Sequence, residues 1–413
     1  MRFNLSGFDS AAWARTARRA GMKYIVLTTK HHDGFALFDS RVSDFSVMAT
    51  PFHRDVVAEV VQACRREGLR VGFYYSIMDW HHPDDLPRRD WETTRPNAGA
   101  EFDRYVRYMK AQLGELLTHY GPIDVLWFDG QWEGTWSNDR GRDLCDYVRS
   151  LQPSIVVNDR AGRTRGGSGL DRSQPPIGHF GPPEREVPPT GLPGVDWETC
   201  MTMNRNWGYN RADKAFKTAP ELIRTLVDVA SKGGNLLLNV GPDADGRFPP
   251  ERVERLEAVG RWMDINGVSL HGTTASPFPR LAWGRCTQRR LPGGGTRLHV
   301  FDWPPDGRLA VEGLLSRPAR AVLLARPSVP LEVTAESGGV VVRVPEAAVD
   351  AADTVIAVDL DEPPDVAVSP VIPAATPVFV ETLDVEVASV QERMTLRYTL
   401  DGTDPALSSA MVA

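Results

Sequence analysis

Val125-Leu126-Trp127-Phe128-Asp129-Gly130 runs four bulky apolar residues straight into one carboxylate and a glycine. A short apolar run of this kind reads as a buried strand. The Asp129 carboxylate then falls at the strand's C-terminal end, the edge where an α/β barrel keeps its chemistry. Taken alone, an Asp-Gly pair serves equally well as a turn or a helix cap. Other strand ends in this chain are polar in the same way. The first carries Lys30-His31-His32-Asp33-Gly34-Phe35, and the second carries Tyr74-Tyr75-Ser76 running on to Asp79-Trp80-His81-His82-Pro83. Asn158-Asp159-Arg160, Asp196-Trp197-Glu198-Thr199-Cys200 with Trp207-Gly208-Tyr209 after it, and Asn239-Val240-Gly241-Pro242 complete the set.

Aromatic rings, imidazoles and carboxylates collected at one edge suit a sugar. Indole and phenol faces pack on pyranose C–H faces, while His, Arg and Asn bond its hydroxyls. Two carboxylates can cleave a glycosidic bond, one as nucleophile or base and the other as acid. A metal is the competing use of the two His-His pairs. Neighbouring residues on a strand point to opposite faces, and no HxH or HExxH spacing is present, so both pairs read as core or hydroxyl-binding histidines. Ser76 has no GxSxG setting, which argues against a serine hydrolase. No metal and no cofactor are expected.

The elements that must position these residues alternate from 10 to 265. Helical patterns are read over 10–20, 54–67, 101–119, 139–151, 219–231 and 250–266, with Ser10 as N-cap of the first. Strands are read over 24–29, 69–76, 124–128, 155–158, 198–203 and 235–240. Repeated βα units predict a parallel sheet with helices on its faces. Polar strand ends, and the lack of a Gly-rich phosphate loop after the first strand, favour a (β/α) barrel over an open dinucleotide-binding sheet. Residues 161–196, rich in Gly and Pro, read as one long loop beside the site. From 273 to 361 short β-rich runs separated by Pro and Gly predict an antiparallel β-sandwich. Residues 362–413 read as a linker and a partial β-module.

Composition limits the remaining classes. A chain of 413 residues with a net charge of −7 has no basic footprint for nucleic acid or an anionic membrane. No run reaches the ~18–20 apolar residues of a membrane span. The four cysteines, Cys64, Cys145, Cys200 and Cys286, form no CxxC pair, which leaves no zinc ribbon or redox dithiol. Oligomeric state is left open. So is compartment: secretion or the periplasm if a signal peptide precedes this sequence, the cytoplasm otherwise.

KYIVLTTKHHDGF, DSRVSDF, GFYYSIMDWHHP, GPIDVLWFDGQWE, DWETCMTMNRNWGYN and SKGGNLLLNVGPDADGRFP occur in this order along the chain. Together they resemble the α-L-fucosidases of glycoside hydrolase family 29. The resemblance implies a retaining exo-α-L-fucosidase that releases terminal fucose from glycans through a covalent fucosyl-enzyme intermediate. It makes Asp129 the nucleophile, His31 and His32 fucose-binding, Tyr74 an active-site tyrosine and Trp127 a sugar contact. Arg160 matches an arginine that helps hold the acid/base region. The acid/base falls on a variable loop, where Pro182-Pro183-Glu184-Arg185-Glu186 resembles the usual Pro-Glu motif. That selects Glu184, with Glu186 and Glu198 as alternates; the plain reading of Glu198 is a buried, hydrogen-bonded strand carboxylate. A retaining pair should sit ~5–5.5 Å apart. The partner implied is a fucosylated oligosaccharide or glycoconjugate.

Two features depart from the family's pattern. Its members begin with a strand carrying Ile-His-Trp-Gly, and here residues 3–13 already match the helix before the second strand. The expected fold is therefore a (β/α)8-type barrel over 1–272 lacking its first βα unit, followed by the sandwich. Missing a strand leaves open parallel edges, so weak or absent turnover, with fucose still bound, is the alternative expectation. At the far end, Leu396-Arg397-Tyr398-Thr399-Leu400-Asp401-Gly402 resembles the chitobiase-type modules appended to bacterial glycosidases.

Overall fold

The computed structural model describes residues 3–92, 95–163, 177–192, 194–279, 281–289, 295–336, 338–367, 387, 396–400 and 409–411. The chain divides into two compact units between Leu270 and His271. In the first unit, helices and strands alternate: α1 (Ser10–Arg19), β1 (Tyr24–Lys30), α2 (Val56–Arg66), β2 (Arg70–Ser76), α3 (Phe102–His119), β3 (Val125–Asp129), α4 (Asn138–Leu151), β4 (Val156–Val157), β5 (Glu198–Thr202), α5 (Ala219–Ser231), β6 (Asn235–Asn239) and α6 (Pro250–Asn266). The cap of α1 is Asp9, whose carboxylate accepts the Ala12 N–H, so the helix starts one residue earlier than an N-cap at Ser10 would have it.

Every strand pairing in this unit is parallel, in the order β1-β2-β3-β4, with β5 beside β6. Alternation along the strands sorts the side chains. Val71, Phe73, Tyr75, Leu126 and Phe128 are buried in one apolar cluster with Val57, Val60 and Cys64 of α2 and Met109, Leu113 and Leu116 of α3. The opposite face carries the chemistry. Register sets Thr28 beside Tyr74, Tyr74 beside Trp127, and Ser76 beside Asp129.

Two local features were not legible in the sequence. First, the β1–β2 register shifts between Thr28 and Lys30, a bulge centred on Thr29. Lys30 therefore pairs with Tyr75 on the helix side, and His31 falls on the face of Tyr74 and Trp127. Second, the stretch read as a single loop over 161–196 contains a strand-like run at 179–185. Its backbone bonds Val157 and Asp159 on one side and Asp196, Glu198 and Cys200 on the other. This run joins the four-stranded sheet to the β5–β6 pair, all parallel. Pro182 and Pro183 have no N–H to give to a ladder, which is why the run reads as loop. The strand expected over 155–158 is shorter, at Val156–Val157, because the Asn158 side chain takes over the ladder: its amide both accepts the Phe128 N–H and donates to the Phe128 carbonyl.

The second unit is antiparallel. One sheet runs β11 (Arg320–Leu323), β14 (Thr354–Asp359), β9 (Thr296–Val300), β8 (Gly284–Arg289), β7 (Thr273–Thr274); the other runs β10 (Arg308–Glu312), β13 (Gly339–Arg343), β12 (Val333–Glu336). Leu298, Val300, Ile356 and Val358 of the first sheet share a core with Val311, Val340 and Val342 of the second. Most of the linker and module expected over 362–413 lies outside the described residues; within it, β15 (Arg397–Tyr398) pairs with β16 (Ala410–Met411). No helix among the described residues is long and apolar enough to cross a membrane.

Candidate active site

Asp129 ends β3 and is nearly buried. Gly130 follows at φ +90, with an added Cβ only 3.0 Å from Met78, so a glycine is what lets the chain turn away and leave the carboxylate at the strand end. The Tyr74 hydroxyl donates to Asp129 Oδ2 at 2.8 Å, and Arg160 Nη1 donates to Oδ1 at 2.7 Å. The second terminal nitrogen of Arg160 donates to Glu184 at 2.7 Å. One guanidinium thus touches both carboxylates, and it also lies 4.8 Å from the centre of the Trp127 ring. Arg160 reaches this point from the 3-10 turn at Asp159–Ala161 that follows the shortened β4. Burial by itself would weaken the Arg160 cation; Asp129 and Glu184 more than offset this and hold it firmly protonated.

The rings form a continuous wall. His31 lies flat on Tyr74 (5.3 Å, 7°), and Tyr74 lies nearly flat on Trp127 (5.6 Å, 20°). Burial, then the charge of Asp129, push the Tyr74 hydroxyl well above its ordinary pKa, so it stays a donor. His32 Nε2 stands 3.7 Å from Asp129 Oδ2. Burial and the neighbouring His31 push the His32 pKa down to about 4, against the pull of Asp129. The ring is neutral at ordinary pH, and its tautomer follows from the hydrogen-bond network. Ser76 Oγ spends its only proton on the Met78 carbonyl, so it accepts from His32 Nδ1–H at 2.6 Å. His32 Nε2 is then a bare acceptor beside Asp129, a fit for a sugar O–H.

Glu198 sits deeper. It accepts from Trp127 Nε1 at 3.2 Å, from Asn235 Nδ2 at 2.9 Å and from the Tyr24 hydroxyl, and burial raises its pKa. Its oxygens hold the indole of Trp127 and link β1, β3, β5 and β6. Glu186 is exposed, and its backbone carbonyl accepts from the Thr199 hydroxyl. Of the three candidate glutamates, Glu184 alone shares Arg160 with Asp129. The structure brings Asp129, Glu184, Arg160, Tyr74, Trp127, His31 and His32 together. It does not bring the second histidine pair among them: His81 stacks on Phe45 at 3.7 Å, and His82 packs on Tyr108 at 4.4 Å.

Beneath the histidines lies a charged core that sequence reading missed. Lys30 is fully buried and donates to Asp79 at 3.2 Å, the Tyr105 hydroxyl at 3.1 Å and the Met78 carbonyl at 3.4 Å. The Asp79 N–H in turn donates to Asp85, which is 3% exposed. Burial raises the Asp85 pKa from 3.8 to about 7, despite that donor and Lys30. The folded state therefore prefers protonated Asp85. Its contribution is complete below pH 3.8 and is lost as pH rises through about 7, at up to about 4 kcal/mol by linkage. Asp85→Asn keeps an acceptor for Asp79 N–H and carries no charge. It should raise the urea midpoint relative to the parent at pH 8 and leave it little changed at pH 4. A variant no more stable at pH 8 would refute the burial argument.

Paired carboxylates under one cation, walled by stacked rings and a neutral imidazole acceptor, are an arrangement that can cleave a glycosidic bond. Comparison with known proteins gives the particular family. Residues 1–268 match the family model described as Alpha-L-fucosidase. An α-L-fucosidase of Dictyostelium discoideum is 32% identical over 321 residues, which cover 75% of this chain and 65% of that protein. The chain thus spans just under two thirds of that curated relative's length. Among solved structures, α-L-fucosidase isoenzyme 1 from Paenibacillus thiaminolyticus is 38% identical with a TM-score of 0.80, covering 87% of this chain and 88% of that one. A Bacteroides thetaiotaomicron α-L-fucosidase, solved as a trapped covalent intermediate with 2-fluoro-fucosyl fluoride, is 30% identical with a TM-score of 0.78, covering 86% of this chain and 83% of that one. This chain belongs to the α-L-fucosidase family.

Proposed function

We propose that the chain is a retaining exo-α-L-fucosidase in which Asp129 is the nucleophile and Glu184 the acid/base. An Asp129 oxygen attacks C1 of a terminal α-L-fucose while Glu184 gives its proton to the departing glycosidic oxygen. The bond from C1 to that oxygen breaks, and the fucosyl group is left esterified to Asp129. Glu184, now a base, takes a proton from water, whose oxygen attacks C1 and frees Asp129. His32 Nε2 accepts a fucose hydroxyl, His31 bonds another, and Tyr74 and Trp127 supply the aromatic wall. The observation that carries this reading is Arg160, bound at 2.7 Å to both carboxylates. A shared guanidinium keeps the two carboxylates near one another, as the double displacement needs. For the fold we propose an incomplete (β/α)8-type barrel over the first unit and a β-sandwich over the second. The partner is a fucosylated oligosaccharide or glycoconjugate.

Incubation with a 2-fluoro-fucosyl fluoride, followed by peptide mass spectrometry, tests the reading. The fluorofucosyl mass should sit on the peptide holding Asp129; a label on another carboxylate would overturn the assignment. One observation favours a second reading, a fucose-binding protein with little turnover. The outer edges of β1 and β6 have no partner strand among the described residues, and Leu236, Leu237 and Leu238 are partly exposed. Across that seam the Tyr24 hydroxyl meets Asn235 by side chains alone. Fucose binding without labelling or hydrolysis would select this second reading.

A further inference from the structure

We propose that Glu198 is a positioning residue for the reaction: its carboxylate holds the N–H edge of the Trp127 indole, and that ring in turn holds the Arg160 guanidinium on Asp129 and Glu184. The inference rests on the fucosidase reading of the site. Glu198 opens β5, is buried, and has Asn235 as its register partner on β6. An added Cβ on Gly234 would lie 2.3 Å from the Trp197 ring, so a glycine is what lets the start of β6 come this close. The Asn235 amide donates to Glu198 Oε2 at 2.9 Å and also to the Tyr24 oxygen. Having accepted there, the Tyr24 hydroxyl gives its own proton to Glu198 Oε2. The indole N–H, which can only donate, meets Oε1 at 3.2 Å. With all three neighbours donating, Glu198 serves as a carboxylate: burial raises its pKa, and these three bonds pull it back.

A chain of contacts runs from this carboxylate to the reacting groups. Trp127 is buried, and the guanidinium carbon of Arg160 stands 4.8 Å from the centre of its ring. The same guanidinium donates at 2.7 Å to Asp129 and at 2.7 Å to Glu184. Trp127 also stacks at 5.6 Å on Tyr74, whose hydroxyl donates to Asp129 at 2.8 Å. An anion that accepts the indole N–H draws that hydrogen toward itself and pushes electron density onto the ring. The ring then attracts a cation over its face more strongly. The two oxygens of Glu198 divide the work. Oε2 ties the start of β1 to the start of β6, through Tyr24 and Asn235, and Oε1 serves Trp127. A glutamate needed only to join those strands would have no use for the indole, so the two roles can be separated by experiment.

The test is a double-mutant cycle read as kcat/KM on an aryl α-L-fucoside. Glu198→Leu should lower it about tenfold. Glu198→Gln, which keeps a neutral and weaker acceptor for the indole, should lower it about threefold. In a Trp127→Phe background, which keeps a ring face but has no N–H, neither substitution should lower the rate further. A glutamate that only joins the strands would cost the same factor in both backgrounds, and that result would overturn the proposal, as would an unchanged rate in the parent background. If the leucine variant does not fold, the glutamine pair makes the same comparison. If the parent hydrolyses no fucoside, the fucosidase reading fails separately, and the Kd for fucose by calorimetry replaces kcat/KM in the same cycle. A parent that neither cleaves a fucoside nor binds fucose would overturn both.

Discussion

Asp129→Ala should keep the fold and lose at least about a thousandfold in kcat/KM on an aryl α-L-fucoside. The fold survives because Arg160 keeps Glu184 as a partner at 2.7 Å and Tyr74 stays stacked between His31 and Trp127. The rate falls because no other described carboxylate is placed to attack. Glu198 is committed to Tyr24, Trp127 and Asn235, and Glu184 lies across the guanidinium. Loss of rate alone would not separate a nucleophile from a residue that positions Arg160. Added azide does so. In the alanine variant a small anion can occupy the space of the missing carboxylate and attack C1 from that side. Its nitrogen bonds C1, and the aryl oxide leaves with the bonding pair. A single displacement inverts the centre, so the product is β-L-fucosyl azide. Recovery of rate with that product assigns the nucleophile to Asp129. A variant retaining a tenth of the parental activity, or azide rescue giving the α product, would move the nucleophile elsewhere.

Much of the site was legible because strand ends are local. An apolar run ending in Asp, or in His-His, shows in the sequence which residues finish a strand, and a parallel sheet brings those ends together. What the sequence hides is anything that depends on a partner far along the chain. The bulge at Thr29 is one case: without it Lys30 would share the face of Tyr74, and it is the register against β2 that sends Lys30 inward and His31 toward Tyr74. The run at 179–185 is another, since Pro182 and Pro183 erase the strand signature while neighbouring strands still supply donors to their carbonyls, as Cys200 N–H does to Pro183. Nothing local marks Ser76, which has no GxSxG setting, yet in the fold it fixes the tautomer of His32. Glu198 could be read as a buried strand carboxylate, yet its three donors come from β1, β3 and β6, which no local pattern reveals. Arg160 was legible as an arginine after a strand. That it spans Asp129 and Glu184 is a fact of three separate segments meeting.

The largest stability effect should come from Lys30. Its ammonium is 0% exposed, bound to Asp79, Tyr105 and the Met78 carbonyl, and it stands 4.5 Å from the centre of the Tyr75 ring. Asp79 is 1% exposed and also accepts the backbone N–H groups of His81 and His82. Lys30→Met fills a similar volume but leaves the Asp79 charge buried without its cation. Breaking a buried pair from one side costs about 3–5 kcal/mol, because the remaining ion is desolvated and uncompensated. A urea melt at pH 7 should show a loss of that size. Adding Asp79→Asn to Lys30→Met removes the orphaned charge while keeping an acceptor for the two histidine N–H groups, so it should recover most of the loss. The single and double variants thus separate charge burial from lost packing. If both are equally destabilised, the ammonium's three hydrogen bonds matter more than its charge; if Lys30→Met costs under about 1 kcal/mol, the buried pair is not what holds the ends of β1 and β2 together. The site should register the same change, since His31 follows Lys30 directly and Gly34, at φ +82, leaves an added Cβ only 2.1 Å from Asp79. Loosening this ion pair releases the turn that presents His31 and His32 to Asp129, so Lys30→Met should weaken fucose binding, and the double variant should regain it in step with stability.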